Sequence, residues 1–258
     1  MNMSAAPRDA SMISPSLEHA LETALHVVVF TGAGVSAESG VPTFRSAGGL
    51  WEKYDPHQLA THEAFSHDPD LVWSWYSWRR NTIRGVEPNP GHYAIAEAEQ
   101  LFPQFTLVTQ NVDNLHQRAG SRRVHELHGN IERSRCLACG TYFMGDEAPP
   151  TDKAQSCSCG GFIRPDVVWF GESLPMEELQ HAQNAATSCD LLFTIGTAAT
   201  VYPAAMLPVM ARRAGAYVVE INPEPSSIAH EVSECITGAS GVVFPVIIER
   251  LKQLRTTA

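Results

Sequence analysis

Positive charge is scarce in this chain: its 258 residues carry 18 Lys and Arg against 28 Asp and Glu, a formal net charge of -10. Gripping nucleic acid relies on dense Lys and Arg, so direct nucleic-acid binding is not expected. Long apolar runs are missing too. Stretches such as Val27 to Phe30 and Leu191 to Ile195 fall far short of the roughly 20 residues that cross a bilayer, which removes the membrane as a partner. The opening MNMSAAPRDASMISPS lacks the apolar centre of a secretory signal and has too little Arg for a transit peptide. It reads as a flexible tail, residues 1–13, on a cytoplasmic protein. Internal repeats and low-complexity tracts are lacking as well.

What is present describes an ordinary globular protein, 44% hydrophobic and 18% charged, with 18 Gly and 17 Pro spread over many loops. The length suits one large domain, alone or with a smaller insert. Ser14-Pro15 predicts a helix start, with Leu17, Leu21 and Leu25 along one face. His26 to Phe30 is β-branched and apolar and ends in Thr31-Gly32-Ala33-Gly34, the pattern of a buried parallel strand feeding a glycine turn. Similar strands are expected at Phe105 to Val108, Leu191 to Ile195 and Tyr217 to Ile221. Each runs into a polar or glycine loop: Thr109-Gln110-Asn111, Gly196-Thr197, and Asn222-Pro223-Glu224. In an open α/β sheet ligands sit beyond the carboxyl ends of the strands, so these loops should converge on one crevice. Pro245 through Leu254 predicts a closing amphipathic helix.

Two stretches break the alternation. Residues 45–90, rich in Trp, His and Arg, look helical, whereas 129–165 hold most of the cysteines with little apolar periodicity. The expected architecture is α/β: a Rossmann-like parallel sheet with helices on both faces, from 14–44, 91–128 and 166–258. A smaller domain combines the helical insertion with a zinc-binding module. Cys136-x-x-Cys139 and Cys157-x-Cys159 have metal-ligand spacing, and four thiolates fill a tetrahedral shell, so one structural Zn2+ is expected. Cys189 and Cys235 stand apart and read as buried thiols.

Gly32-Ala33-Gly34-Val35-Ser36-Ala37 satisfies G-x-G-x-x-A directly after a strand, which points to a dinucleotide whose pyrophosphate meets backbone amides. A dehydrogenase would place an acidic residue after a second strand about 20 residues on. Leu50 to Asp55 offers no such strand. Ribose contacts are assigned instead to Asn222 and Glu224, which loosens the case for hydride transfer.

The longer string from Gly32 to Arg45 closely resembles the signature loop of the sirtuins. Further blocks agree in the same order: Thr109 to Asp113 with Leu115-His116, Glu126-Leu127-His128-Gly129, Val167 to Glu172, Gly196-Thr197 with Val201 to Ala204, and Ile221 to Glu224. The resemblance spans roughly residues 26 to 245. It implies an NAD-dependent protein-lysine deacylase acting on acylated-lysine proteins or peptides, with NAD as co-substrate. In that family the acyl-lysine oxygen attacks the anomeric carbon of the nicotinamide ribose, releasing nicotinamide, and a base then activates a ribose hydroxyl. The resemblance makes His128 that base, a role suited to an imidazole. It has Asn111 and Asp113 fix the nicotinamide. Phe44 screens the anomeric centre, and Arg45 contacts the cofactor or an ordered loop. Cofactor contacts extend to Gly32, Ala33, Gly34, Ala37, Gln110, Gly196, Thr197, Ala198, Asn222, Glu224 and Ser240. Val167 to Glu172 resembles a strand pairing with the substrate backbone opposite Val201, with Val168, Trp169, Phe170 and Gly171 around the lysine stem.

Tyr76 and Arg79 resemble the Tyr-x-x-Arg of the class III, desuccinylase and demalonylase, subset. Three residues apart, they share a helix face, where Arg can hold a terminal carboxylate bidentately and Tyr can add a bond. Glu87 to His92 resembles the same subset, and Ala47 supplies a small residue where a wider acyl pocket needs one. The expected products are nicotinamide, O-acyl-ADP-ribose and free lysine, with acetyl groups accepted too. Two alternatives stay open: transfer of ADP-ribose to protein on the same fold, and a non-catalytic NAD or zinc binding module. Protein targets and oligomeric state are not legible.

Overall fold

The structure, a computed structural model, describes residues 12–43, 55–149 and 151–257. Phe44, Arg45, Ala47 and most of the expected tail lie outside the described residues. The larger sheet has six strands: β1 (His26–Thr31), β2 (Gln104–Thr109), β3 (Val124–Glu126), β7 (Leu191–Ile195), β8 (Tyr217–Asn222) and β9 (Glu234–Thr237). They run parallel in the order β3-β2-β1-β7-β8-β9. That order turns back on itself at β1, between β2 and β7, and such a switch point opens a crevice beyond the strand ends.

Strand alternation divides the core. Val27 and Val29 of β1 pack on one face with Leu17 and Leu21 of helix Pro15–Thr23, Ile95 of helix Pro90–Leu101, and Ile247 and Leu251 of helix Ser240–Thr257. Val28 and Phe30 face the other way, onto Ala182 and Ala186 of helix Met176–Ser188 and Leu207 and Ala211 of helix Leu207–Ala214. Each of these β1 side chains is essentially fully buried, worth about 1.5–3 kcal/mol apiece. The sheet is thus fixed from both sides, and its strand ends are held rigidly.

Several expectations need correcting. Ser14 does cap the first helix, accepting from the Leu17 amide, but that helix stops at Thr23 and Leu25 is 67% exposed. Ala24 closes the turn instead. The last helix begins at Ser240, so Pro245 lies inside it rather than at its start. β6 (Ile163–Val167) ends before Val168, and beyond it only Phe170 makes a single bridge, to Thr61. Cys235 is exposed, unlike Cys189.

β6 belongs to a second sheet, antiparallel, with β4 (Gly129–Cys136) central and β5 (Tyr142–Met144) on its far edge. Helices Pro56–Leu59, His62–His67 and Pro69–Arg84 pack beside it. Two residues of the long helix tie the parts together. Trp73 packs with Cys136, Cys157 and Ile163. Arg80 is buried and donates to the carbonyls of Ile131 and Ala148 and to the Ser134 hydroxyl. A buried guanidinium needs such partners, because its desolvation is otherwise costly.

Candidate functional site

The ends of β1, β2, β7 and β8 meet at one crevice of about 1000 Å3. Its size lies at the upper end of the range for ligand pockets, room for a dinucleotide and part of a second reactant. The β1 turn contributes Gly32, Ala33, Gly34 and Ala37; the β2 loop contributes Gln110 and Asn111. Gly196, Thr197 and Ala198 follow β7, Asn222 ends β8, and Glu224 lies in the loop after it. Ser240 is not brought there: its hydroxyl donates to the Glu38 carboxylate at 3.1 Å.

The two glycines of the turn have a packing role of their own. The Gly32 and Gly34 amides are spent inside the protein, on the carbonyls of Ile195 and Gly196, at 3.0 and 2.8 Å. A Cβ on Gly34 would lie 2.8 Å from the Gly196 backbone, and one on Gly32 2.7 Å from the Thr197 side chain. Gly196 itself has φ +62, a left-handed conformation that favours glycine. The three glycines interlock two strand ends, and this close packing sets the crevice floor. Above it, Gln110 Nε2 donates to the Thr197 hydroxyl and Asn222 Nδ2 to the Thr197 carbonyl. The buried Glu220 carboxylate accepts from the amide and hydroxyl of Ser226, anchoring the loop after β8. The Gln110 and Asn222 carboxamides, the Thr197 hydroxyl and the Glu224 carboxylate line the crevice and offer the mixture of donors and acceptors that ribose hydroxyls and a carboxamide require, so the crevice fits NAD.

Asn111 and Asp113 are both buried, but they play unequal parts. Asn111 Nδ2 donates to the Gly32 carbonyl at 3.0 Å and to Ser36 Oγ at 3.3 Å. Asp113 sits behind the crevice lining, accepting from Ser36 Oγ at 2.7 Å and from the Leu115 amide at 3.0 Å. Behind Ser36 lies a pair of histidines in tilted contact, His92 and His116, 4.9 Å between centroids. His92 Nδ1 faces the Asn89 amide at 3.3 Å and its Nε2 faces Ser36 Oγ at 3.4 Å. An amide only donates, so the His92 proton is on Nε2 and points to Ser36. Burial pushes His92 down to about 4, against the pull of the Asp113 and Glu38 charges. It holds His116 well below the ordinary histidine value, with the neighbouring His92 acting in the same direction. Ser36 and these two histidines were not assigned roles from sequence; a small hydroxyl inside an apolar glycine turn was the available signal.

His128 lines the same crevice. Its Nδ1 lies 2.9 Å from the Gln110 carbonyl. A carbonyl only accepts, so Nδ1 carries the proton and Nε2 keeps its lone pair. Burial lowers the pKa, partly offset by that hydrogen bond. The residue is thereby held as a neutral, oriented base.

Val168, Trp169, Phe170 and Gly171 border the crevice, with Val201 among the residues across it. Three of these amides are already engaged: Val168 with the His128 carbonyl, Phe170 with the Ala60 carbonyl, Trp169 with the Glu172 carboxylate. Glu172 is held in turn by the fully buried Arg164, whose guanidinium lies 3.3 Å from the Trp169 ring centroid. Tyr76 and Arg79 of helix Pro69–Arg84 form the adjoining wall, both buried. The Tyr76 hydroxyl accepts from Trp169 Nε1 at 3.0 Å, which leaves its own hydrogen to donate. Burial pushes Tyr76 up to about 12 and Arg79 down to about 10, so near neutral pH the phenol stays protonated and the guanidinium charged.

Cys136, Cys139, Cys157 and Cys159 bring their sulfurs within 4.8 Å of one another. Cys136 to Cys159 is 3.5 Å and Cys139 to Cys157 is 3.8 Å. A tetrahedron with Zn–S of about 2.3 Å has edges of about 3.8 Å, so the cluster fits zinc. The tight Cys157-x-Cys159 pair is accommodated by a turn in which the Gly160 amide donates to the Cys157 carbonyl. The Ala138 amide donates to Cys136 Sγ. With all four positions taken by thiolate the metal is structural.

Comparison with known proteins agrees with this geometry. The model of the Sir2 family matches residues 32–203. "NAD-dependent protein deacylase 2" of Pyrobaculum aerophilum is 54% identical over 92% of this chain and 95% of its own length. "NAD-dependent protein deacylase 1" of Pseudomonas aeruginosa is 49% identical over 89% of this chain and 96% of its own. Among solved structures, a Sir2 homologue S24A mutant in complex with ADP-ribose superposes with TM-score 0.92 at 39% identity, covering 95% of this chain and 99% of that one. Sir2Af2 bound to a myristoylated histone peptide gives TM-score 0.77 at 35% identity, covering 97% and 100%. Among the described residues no helix is long and apolar enough to cross a membrane.

Proposed function

The chain belongs to the Sir2 family, and we propose that this NAD-dependent protein deacylase removes succinyl and malonyl groups from lysine side chains, with acetyl groups accepted as well. The observation that carries the acyl preference is the wall made by Tyr76 and Arg79. A charged guanidinium is held at the crevice beside a phenol that retains a hydrogen to donate. A carboxylate-tipped acyl chain meets both groups with charge-assisted hydrogen bonds, about 1.5–3 kcal/mol for the pair relative to an uncharged tip.

NAD supplies an electrophilic ribose carbon, and the residues of this chain arrange what surrounds it. Gln110, Asn111, Thr197 and Asn222 bind and orient the co-substrate across the strand ends. Asp113 acts through Ser36, which in turn positions the Asn111 amide. His128 takes a proton at Nε2, its orientation set by the Gln110 carbonyl. The segment Val168 to Gly171 borders the lysine stem, with Arg164 and Glu172 fixing Trp169 behind it. Because the amides of Val168, Trp169 and Phe170 are engaged internally, this segment is assigned to hold the peptide chiefly through carbonyls and side-chain contact. Residues 45–90 and 129–165 are assigned to a smaller domain beside the NAD-binding part formed by 14–44, 91–128 and 166–258.

The test uses one peptide in acetyl and succinyl forms with wild type, Arg79→Met and His128→Ala. His128→Ala should abolish both reactions and Arg79→Met should mainly damage desuccinylation. Equal losses with Arg79→Met would overturn the acidic-acyl assignment. Mass analysis of the peptide separates deacylation from transfer of ADP-ribose.

A further inference from the structure

Apart from the cysteine cluster, one other group of metal-binding side chains comes together among the described residues: His125, Glu178 and His181, with one donor atom from each within 4.8 Å of the others. None of them lines the crevice. Strand alternation explains the meeting. Val124 packs toward the core on one side of the sheet, so His125 projects to the other, where helix Met176–Ser188 lies. Glu178 and His181 are three residues apart on that helix and share a face. His125 Nδ1 is 2.7 Å from the Glu178 carboxylate, and the two imidazole rings are 5.3 Å apart between centroids.

We propose that His125, Glu178 and His181 form a second metal site, for a divalent late first-row transition ion such as Zn2+, which ties the edge strand β3 to this helix. Imidazole and carboxylate suit such ions, whereas Mg2+ and Ca2+ call for oxygen ligands throughout. Ligand bonds of about 2.1 Å at tetrahedral angles put donor atoms about 3.4 Å apart. The His125 to Glu178 contact opens slightly, and side-chain rotation closes the wider gaps. His181 is exposed and Glu178 partly so, which leaves the fourth position to water. Without an ion the group is a partly exposed hydrogen-bonded pair beside a third side chain, a contact of small worth.

The test is equilibrium dialysis of the tag-free protein against micromolar Zn2+, followed by elemental analysis. Wild type should retain a second equivalent beyond the one held by the cysteines, and its melting temperature should rise as that equivalent loads. His181→Ala and Glu178→Gln should each keep only the cysteine-bound equivalent and show no such rise. His230→Ala, a change at a histidine 76% exposed and outside the cluster, should behave as wild type. A wild type holding one equivalent overturns the proposal, as does a second equivalent that survives either cluster substitution or is lost in His230→Ala.

Discussion

Gly34→Ala is the sharpest probe of how the crevice is built. The added methyl would sit 2.8 Å from Gly196 Cα and from the Gly196 carbonyl oxygen, against about 3.5–4.0 Å for a relaxed contact. The obstructing atoms are backbone, in the turn after a fully buried strand, so no side-chain rotation relieves the overlap. Overpacking of this kind costs about 1–3 kcal/mol, or roughly 5- to 150-fold in the folding equilibrium. Relief comes only by parting the β1 and β7 turns, which moves Thr197 and breaks its alignment with Gln110 and Asn222. Urea unfolding should show a lower midpoint at unchanged m, and kcat/KM for NAD should fall in the same variant. Gly85→Ala is the matched control. Gly85 has φ -81 and follows helix Pro69–Arg84; the nearest obstruction to a Cβ is 3.4 Å away, so stability should hold or rise by about 0.4–1 kcal/mol. A Gly34→Ala protein with wild-type midpoint and unchanged NAD kinetics would refute the interlock.

Three further outcomes are expected. Arg79→Met should reduce kcat/KM for a succinyl peptide by about 10- to 150-fold, from the lost charge-assisted bonds, with a much smaller change for the acetyl peptide in the same assay. Stability should fall as pH drops from about 6.5 toward about 4: unfolded histidines take up protons at 6.5, whereas His92, lowered to about 4, and His116, held well below 6.5, stay neutral in the fold. The slope is about 1.4 kcal/mol per pH unit for each such histidine, and His92→Asn should flatten it in chemical unfolding measured across that range. Stripping zinc with a chelator, or Cys157→Ser, should lower the melting temperature and release the packing of Trp73, visible in its fluorescence, with catalysis lost as a consequence of disorder.

The four central strands were legible because short apolar runs, buried over all or most of their length, carry the strongest strand signal; Leu191 to Ile195 matches to the residue. The two edge strands were not. Val124-His125-Glu126 and Glu234-Cys235-Ile236-Thr237 are short and largely polar, and they become strands only through the neighbour each pairs with. Leu25 followed the helical period and still ended up in solvent, since helix length is settled by where the chain must turn into β1. Pro245 looked like a helix start, but burial of Val243 and Phe244 extends the helix ahead of it. The cysteine cluster and the β1 turn were readable as spacings. Less readable was what the turn's amides do: that Gly32 and Gly34 bind Ile195 and Gly196 depends on residues some 160 positions away. Ser36 beneath Asp113 depends likewise on a partner 77 positions away, whereas Arg164 and Glu172 stand close to Trp169 in sequence and are brought behind it by the turn after β6.

The brevity of the outer strands has its own effect on how copies of the protein behave beside one another. A parallel sheet closed by no barrel offers an unpaired row of amides and carbonyls at each margin, and long apolar margins recruit strands from neighbouring chains. Here one margin is three residues long and carries a histidine and a glutamate, and the other is four residues long and begins with a glutamate. Neither is long or greasy enough to template stacking readily, which lowers the tendency of a sheet with a strongly apolar interior to recruit further strands along its rims.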